Sequence, residues 1–375
     1  MNKNNTTRAR RAAGAPAAGR RAGISKAWKA GRPLLPSLGK PPSWSGATAA
    51  EWRDWHWQWR RRLRSPDALA RLFPGWRPSE GDRRAAAVFP MAVTPYYASL
   101  IRRPDDSDPI FRLCVARAAE LEDTVFDESD PFGESAHEAF PGVIRRYRDR
   151  ALVLVALDCA AYCRHCTRKH RVGRRSTTRP AADPRRVAAW LAARPEIREA
   201  LISGGEPLRL STARLDRWLG EIRRRAPNIE ILRIGTRAPV VLPQRVDRAL
   251  CAMLRRHHPV WMNLHFNHPA ELTAEAAEAC ARLADAGVPL GNQTVLLRGV
   301  NDDADTLEAL FRGLIRVRVR PYYLFQCDPV RGVGHFRVPP ARGRALMREL
   351  RRRLTGLAVP TYVRDAPDAE SKVPM

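Results

Sequence analysis

Six short apolar runs, at residues 152–157, 200–203, 229–235, 260–265, 288–295 and 319–325, alternate with amphipathic stretches through the second half of the chain. In one such stretch Leu215, Trp218, Leu219 and Ile222 fall at i, i+3, i+4 and i+7, the spacing of one helix face. A strand that is apolar throughout needs cover on both sides, and intervening helices supply it in a parallel sheet. Right-handed crossovers then curl the six units into an α/β fold, a partial (β/α)6 TIM-like barrel; a doubly wound open sheet is the competing architecture. Both place the chemistry at the carboxyl ends of the strands.

The rest of the chain divides around this unit. Residues 1–42 hold no acid and few large apolar groups, so they cannot offset the entropy of ordering and are expected to form a disordered basic arm. Residues 43–145 read as a mostly helical region in which Trp44, Trp52, Trp55, Trp57 and Trp59 serve packing, 146–330 as the barrel and 331–375 as a short C-terminal segment. The arm carries ten of the charges in a net +27. Such an excess suits phosphate binding. The other arginines are spread through the body, however, with no aromatic-interleaved basic stripe, so nucleic acid is not the expected partner. Neither a secretory leader nor a run of ~18 apolar residues occurs, which predicts a cytoplasmic protein.

Directly after the first apolar run, D-C-A-A-Y-C-R-H-C-T places Cys159, Cys163 and Cys166 in a C-x3-C-x2-C spacing. An odd total of seven cysteines without an export signal suits metal ligation better than disulfides. Three thiolates on one tight loop can hold three irons of a 4Fe-4S cube and leave the fourth iron open to a ligand. A structural zinc is the alternative, with His165 or His170 nearby as further donors.

After the second run, I-S-G-G-E-P gives Ser203, Gly204, Gly205 and Glu206, where glycines let the backbone approach a ligand and present its amides. The fourth run leads into His265, Asn267 and His268, and the fifth carries Asn292 and Gln293. Polar groups on apolar strands need partners, and together on adjacent strand ends these read as a polar cofactor site.

Longer runs add to this. W-R-D-W-H-W-Q, M-A-V-T-P-Y-Y-A-S-L-I, C-R-H-C-T-R, R-I-G-T-R-A-P-V-V-L-P-Q-R, H-F-N-H-P, D-A-G-V-P-L-G-N-Q and L-L-R-G-V-N-D resemble the lysine 2,3-aminomutase family of the radical S-adenosylmethionine superfamily, over about residues 50–375. The resemblance implies an isomerase that interconverts L-lysine and β-lysine. In it, a reduced cluster cleaves S-adenosylmethionine to a 5'-deoxyadenosyl radical that takes a hydrogen from the substrate's β-carbon, and pyridoxal 5'-phosphate carries the migrating nitrogen. It further implies Cys159, Cys163 and Cys166 as cluster ligands, with Gly204, Gly205, Glu206, His265 and Gln293 toward S-adenosylmethionine. Arg146, Tyr147 and Arg150 match positions that hold pyridoxal phosphate, and Lys372 takes the place of the lysine that joins it. Arg168 matches the arginine for the substrate carboxylate, and Asp328 and Asp365 match the two aspartates for the ε-ammonium. Forked guanidinium groups suit a phosphate, and a buried ammonium needs paired carboxylates. A reducing protein such as flavodoxin or ferredoxin and a homo-oligomer are implied as partners.

Departures from the family set further expectations. Asp368, Ala369, Glu370 and Ser371 replace the glycine run before the lysine, which is expected to weaken cofactor affinity. The chain ends at Met375 and Asp303 stands where longer relatives place a zinc cysteine, so no structural zinc and a different oligomer are expected. Alternatives are an aminomutase serving elongation factor P or acting on another amino acid such as arginine; glutamate would be repelled by the aspartate pair. From a different class, the altered lysine loop suits a cluster-containing binding or sensing protein without aminomutase activity.

Overall fold

A computed structural model describes residues 44, 46–122, 128–173, 179–367 and 369–375. The basic arm at 1–42 and Asp368 lie outside the described residues. The six expected strands are all present: β3 (Arg150–Ala156), β4 (Glu199–Gly204), β5 (Ile231–Gly235), β6 (Val260–Leu264), β7 (Leu290–Leu296) and β8 (Arg320–Gln326). Two short strands precede them, β1 (Glu138–Phe140) and β2 (Val143–Ile144), inside the stretch read as helical, and two follow, β9 (Thr361–Arg364) and β10 (Val373–Pro374).

All ten strands form one sheet in strict chain order. β3 to β9 run parallel, while β2 and β10 pair antiparallel at the two ends. A doubly wound sheet reverses direction at a switch point. This sheet never does, so the winding is that of a partial barrel with a seventh parallel strand beyond the six expected.

The helices Thr212–Arg225 and Ala304–Arg316 show how the cover forms. The first starts at Ser211, whose hydroxyl caps Arg214 N, and buries Leu215, Trp218, Leu219 and Ile222, the stripe read from the sequence. The second is capped by Asp303, which accepts from Thr306 N at 2.9 Å and the Thr306 hydroxyl at 2.8 Å, an ordinary N-cap role for that aspartate. Among the described residues no helix is long and apolar enough to cross a membrane.

The N-terminal helices pack on the barrel through polar anchors as well as apolar faces. Thr94 Oγ1 donates to Val241 O at 2.6 Å, and the Tyr96 and Thr273 hydroxyls share a 2.5 Å bond. Trp44, Trp52 and Trp57 pack at centroid separations of 5.9–6.3 Å. Trp55 and Trp59 leave that group and lie under Arg245 and Arg62 instead.

A buried apolar cluster of Leu113, Leu297, Val300, Val330, Val333 and Phe336 joins this region to the loops after β7 and β8. Leu297→Ala is expected to cost about 3 kcal/mol through lost burial and a cavity, read as a lower urea midpoint with unchanged slope.

Candidate active site

The cysteine loop leaves β3 and is pinned from two sides. Toward the barrel, Gly205 N donates to Ala156 O at 2.7 Å and Glu206 N to Asp158 O at 2.9 Å. Gly204 has φ +128° and a Cβ there would run into the Ala156 carbonyl; a Cβ on Gly205 would lie 2.6 Å from Asp158 O. The glycines therefore let β4 approach the cysteine loop. The Gly205 amide, expected to be presented to a ligand, and the Glu206 amide are instead taken up by Ala156 at the end of β3 and by Asp158. Toward the N-terminal region, Tyr162 N donates to Ala92 O and Arg164 N to Leu113 O.

Two cations of the loop converge on one buried carboxylate. Arg164 donates to Glu120 through Nε at 2.9 Å and Nη2 at 2.5 Å, and Lys169 Nζ donates to Glu120 Oε2 and Gly332 O, both at 2.7 Å. Burial alone would raise the Glu120 carboxyl, but Arg164 and Lys169 outweigh it and hold it below the usual range.

The three thiols are pushed up by burial and by one another: Cys159 lies well above its ordinary value and Cys166 at about 11. Thiols in that condition become thiolates only when a cation holds them. Among the described residues no three His, Cys, Asp or Glu side chains close on one point as a single ion requires. A four-iron cube takes one thiolate per iron, and three soft donors on one loop fit it.

Arg237, which the sequence reading did not single out, joins these parts. Its Nη1 donates to Cys163 Sγ at 2.9 Å, Nη2 to Tyr97 OH at 2.8 Å and Glu271 Oε1 at 2.7 Å, and Nε to His265 O at 3.3 Å. Its backbone N donates to Glu206 Oε2 at 3.0 Å. Burial raises the Glu206 carboxyl, against hydrogen bonds from Thr236 and the amides of Leu208 and Arg237. The signal available was an arginine directly beyond the end of β5, where a surface charge is the usual reading.

Burial, with Arg237 and Arg168 nearby, lowers His265 to about 4, so its ring is neutral at pH 7 and bonds the Gln293 backbone. The other polar groups read as a cofactor site are otherwise engaged. Asn292 bridges Phe266 N at 2.8 Å and Phe266 O at 3.0 Å, Asn267 Oδ1 accepts from Val295 N, and His268 Nδ1 accepts from Ala270 N. Asn267 and Asn292 lock the end of β6 to β7 and His268 caps the turn that follows, which corrects that part of the expectation. Asn263, two residues before His265 and so on its side of β6, keeps a buried Nδ2 with no acceptor, and the sequence reading missed it.

At the opposite edge β10 folds back on β9, pairing Val373 with Arg364, and returns Lys372 to Asp365. Asp365 also accepts from Arg146 Nη1 at 2.7 Å and Tyr147 OH at 3.0 Å, and Lys372 Nζ donates to Tyr147 OH at 3.1 Å. Arg146 Nη2 donates to Ala366 O, while its buried Nε has no partner. The Arg150 guanidinium covers the Tyr147 ring at 4.5 Å. Burial and then Asp365 push Asp328 up to about 7, against Lys372 and Arg146. Asp365 itself is held low because Lys372 and Arg146 outweigh its burial. Burial lowers Lys372 despite Asp365.

Arg168 stands between the two groups, within electrostatic reach of Cys166 and Asp365. It forms a fork on buried Glu134 at 2.6–3.1 Å, a partner the sequence reading did not foresee. Cys159, Cys163, Cys166, Gly204, Gly205, Glu206, His265 and Gln293 thus surround one end of the parallel strands, and Arg146, Tyr147, Arg150, Asp328, Asp365 and Lys372 the adjoining edge.

A carboxyl raised in the fold stabilises it below the unfolded pKa, and that contribution is lost as pH rises through about 7 for Asp328. Asp328→Asn is therefore expected to raise the melting temperature at pH 8 by several degrees, with the gain vanishing toward pH 4 in a calorimetric series.

The model of the Radical SAM superfamily matches residues 153–310. The L-lysine 2,3-aminomutase of Clostridium subterminale is 42% identical over 327 residues, 87% of this chain and 78% of its own length. That of Fusobacterium nucleatum subsp. nucleatum is 43% identical over 329 residues, 88% and 77% of the two chains. The glutamate 2,3-aminomutase of Clostridioides difficile is 38% identical over 329 residues, 88% and 78%.

Proposed function

Because the chain belongs to the L-lysine 2,3-aminomutase family, we propose that it interconverts L-lysine and β-lysine, with a 4Fe-4S cluster, S-adenosylmethionine and pyridoxal phosphate. One observation carries the substrate: a primary ammonium, that of Lys372, already lies on Asp365 with Asp328 beside it. A pocket that pairs one primary ammonium suits another, and an acidic side chain would meet the same carboxylates with repulsion. That separates this chain's substrate from the glutamate of the 38% identical relative.

Cys159, Cys163 and Cys166 are assigned to the cluster, and Gly204, Gly205, Glu206, His265 and Gln293 to the surroundings of S-adenosylmethionine. Arg146, Tyr147, Arg150 and Lys372 are assigned to pyridoxal phosphate; the unpartnered Arg146 Nε is a donor suited to a phosphate oxygen. Held by these residues, S-adenosylmethionine on a reduced cluster would supply hydrogen-abstracting chemistry, and pyridoxal phosphate would supply a carbonyl carbon for the migrating nitrogen.

The chain's own groups have definite tasks. Lys372 must lose a proton from Nζ and leave Asp365 to act as a nucleophile, and burial, by lowering its pKa, favours that. Asp365 is then open to the substrate ε-ammonium, and Asp328 ionises beside the new cation. Arg168 exchanges Glu134 for the substrate carboxylate. Arg237 orients Cys163 and the His265 backbone and holds positive charge against sulfur. A reducing protein such as flavodoxin or ferredoxin and a homo-oligomer complete the reading.

Anaerobic turnover of L-lysine by reconstituted protein, with products resolved by mass spectrometry, tests this. Wild type is expected to give β-lysine, Lys372→Ala none, and Asp328→Ala a large rise in KM. Cleavage of S-adenosylmethionine without β-lysine would sink the substrate assignment. Arg237→Gln is expected to lower the cluster's reduction potential in an EPR-monitored titration, since it removes a charged donor to Cys163; an unchanged potential would leave Arg237 a packing residue.

A further inference from the structure

A cavity of about 460 Å³ opens beside the cysteine loop, and neither Asp365 nor Lys372 lines it. Arg62, Arg64, Arg209 and Arg214 line it, and its floor is the end of β3 through Asp158, the residue before Cys159. Tyr162, inside the cysteine loop, forms part of the wall. Arg62 donates through Nη1 to the Cys159 carbonyl, so one arginine spans from the cavity to a cluster ligand.

The charge there is poorly compensated. Among the described residues Asp158 is the sole carboxylate of the wall, and it pairs with Arg209 at 3.0 Å. Trp59 lies under the Arg62 guanidinium at 3.6 Å and the Arg209 guanidinium at 5.3 Å, which holds both in place. Arg64 and Arg214 are exposed at the mouth, and Arg60 and Arg61 continue the run outward.

The geometry points to this basic mouth as the docking surface for an acidic one-electron carrier protein, a reduced flavoprotein, that charges the cluster. The inference rests on the cluster reading of Cys159, Cys163 and Cys166. In the step, one electron leaves the donor's flavin hydroquinone, which becomes the one-electron-oxidised flavin and releases a proton to solvent, and enters the oxidised cluster, lowering its charge state by one. A transient electron-transfer contact needs little buried area; charge complementarity steers the encounter and salt weakens it. A surface one residue from a cluster ligand also gives the electron a short path along the loop.

The test is anaerobic stopped-flow reduction of the reconstituted full chain by photoreduced flavodoxin. The double reversal Arg64→Glu with Arg214→Glu is expected to cut the second-order rate about tenfold at low salt and to flatten its salt dependence. Reduction by dithionite, and dithionite-driven β-lysine formation, should be unchanged. Reversal of Arg351 and Arg352, at the far end of the barrel, should leave the flavodoxin rate alone. Equal rates in the cavity variant and wild type, or equal losses in both variants, would overturn the docking surface. So would blockage by inorganic phosphate at constant ionic strength, which would assign the cavity to a small anion. A wild type that flavodoxin reduces but that yields no β-lysine with dithionite would instead count against the aminomutase reading alone.

Discussion

Glu120 is fully buried and faces two cations, Arg164 and Lys169, that come from the cysteine loop itself. The carboxylate belongs to the N-terminal region, and Lys169 also reaches Gly332 O in the loop after β8. Glu120 and Lys169 thus tie two distant segments, the N-terminal region and the loop after β8, to the loop that carries the thiols. Taking any one partner away would strand a buried charge, at a cost of about 3–5 kcal/mol. Apolar packing alone would hold the segments together without fixing where three sulfur atoms stand relative to β4 and β6.

That precision matters because the thiols repel one another as thiolates. Burial and mutual charge raise Cys159 and Cys166. Arg237 and the amide of Arg168 are the chain's own counterweights, at 2.9 Å from Cys163 and 3.3 Å from Cys166. Arg237 is itself held by Glu271, which accepts from Asn267 N, His268 N and the Tyr97 hydroxyl. Tyr97 belongs to the N-terminal helices, so the region outside the barrel contributes directly to the charge balance at the sulfur atoms.

What the sequence made legible follows from how burial writes itself into residues. β3 to β8 bury side chains along their length, at alternate positions or more in β3 to β7, and carry apolar groups even on exposed positions, as at Trp261 and Tyr322, and therefore read as apolar runs. β9 escaped notice because it is four residues long with both ends exposed, and β1 and β2 because three and two residues carry no period. The cysteines were legible because their spacing has few other uses. Asn267, His268 and Asn292 were misjudged because sequence shows that a polar group is buried, never whether backbone, of a neighbouring strand for Asn267 and Asn292 or of the next turn for His268, already satisfies it. Arg237, Glu271, Glu120 and Glu134 were missed for the converse reason. A charged residue usually marks a surface, and only the fold shows two such residues 34 or 44 positions apart meeting in the interior.

Asp365 makes the edge of the sheet more than a place to end the chain. It binds Lys372 and Arg146, so two groups assigned to pyridoxal phosphate are held by a group assigned to substrate. On those roles the two binding events are coupled: until Lys372 is engaged elsewhere, a substrate ammonium competes with a tethered one for the same oxygens. A tethered competer has a high effective concentration, so substrate binds poorly before the cofactor is loaded and well afterwards. The order follows from one carboxylate having a single ammonium's worth of space, and it needs no moving lid to enforce it.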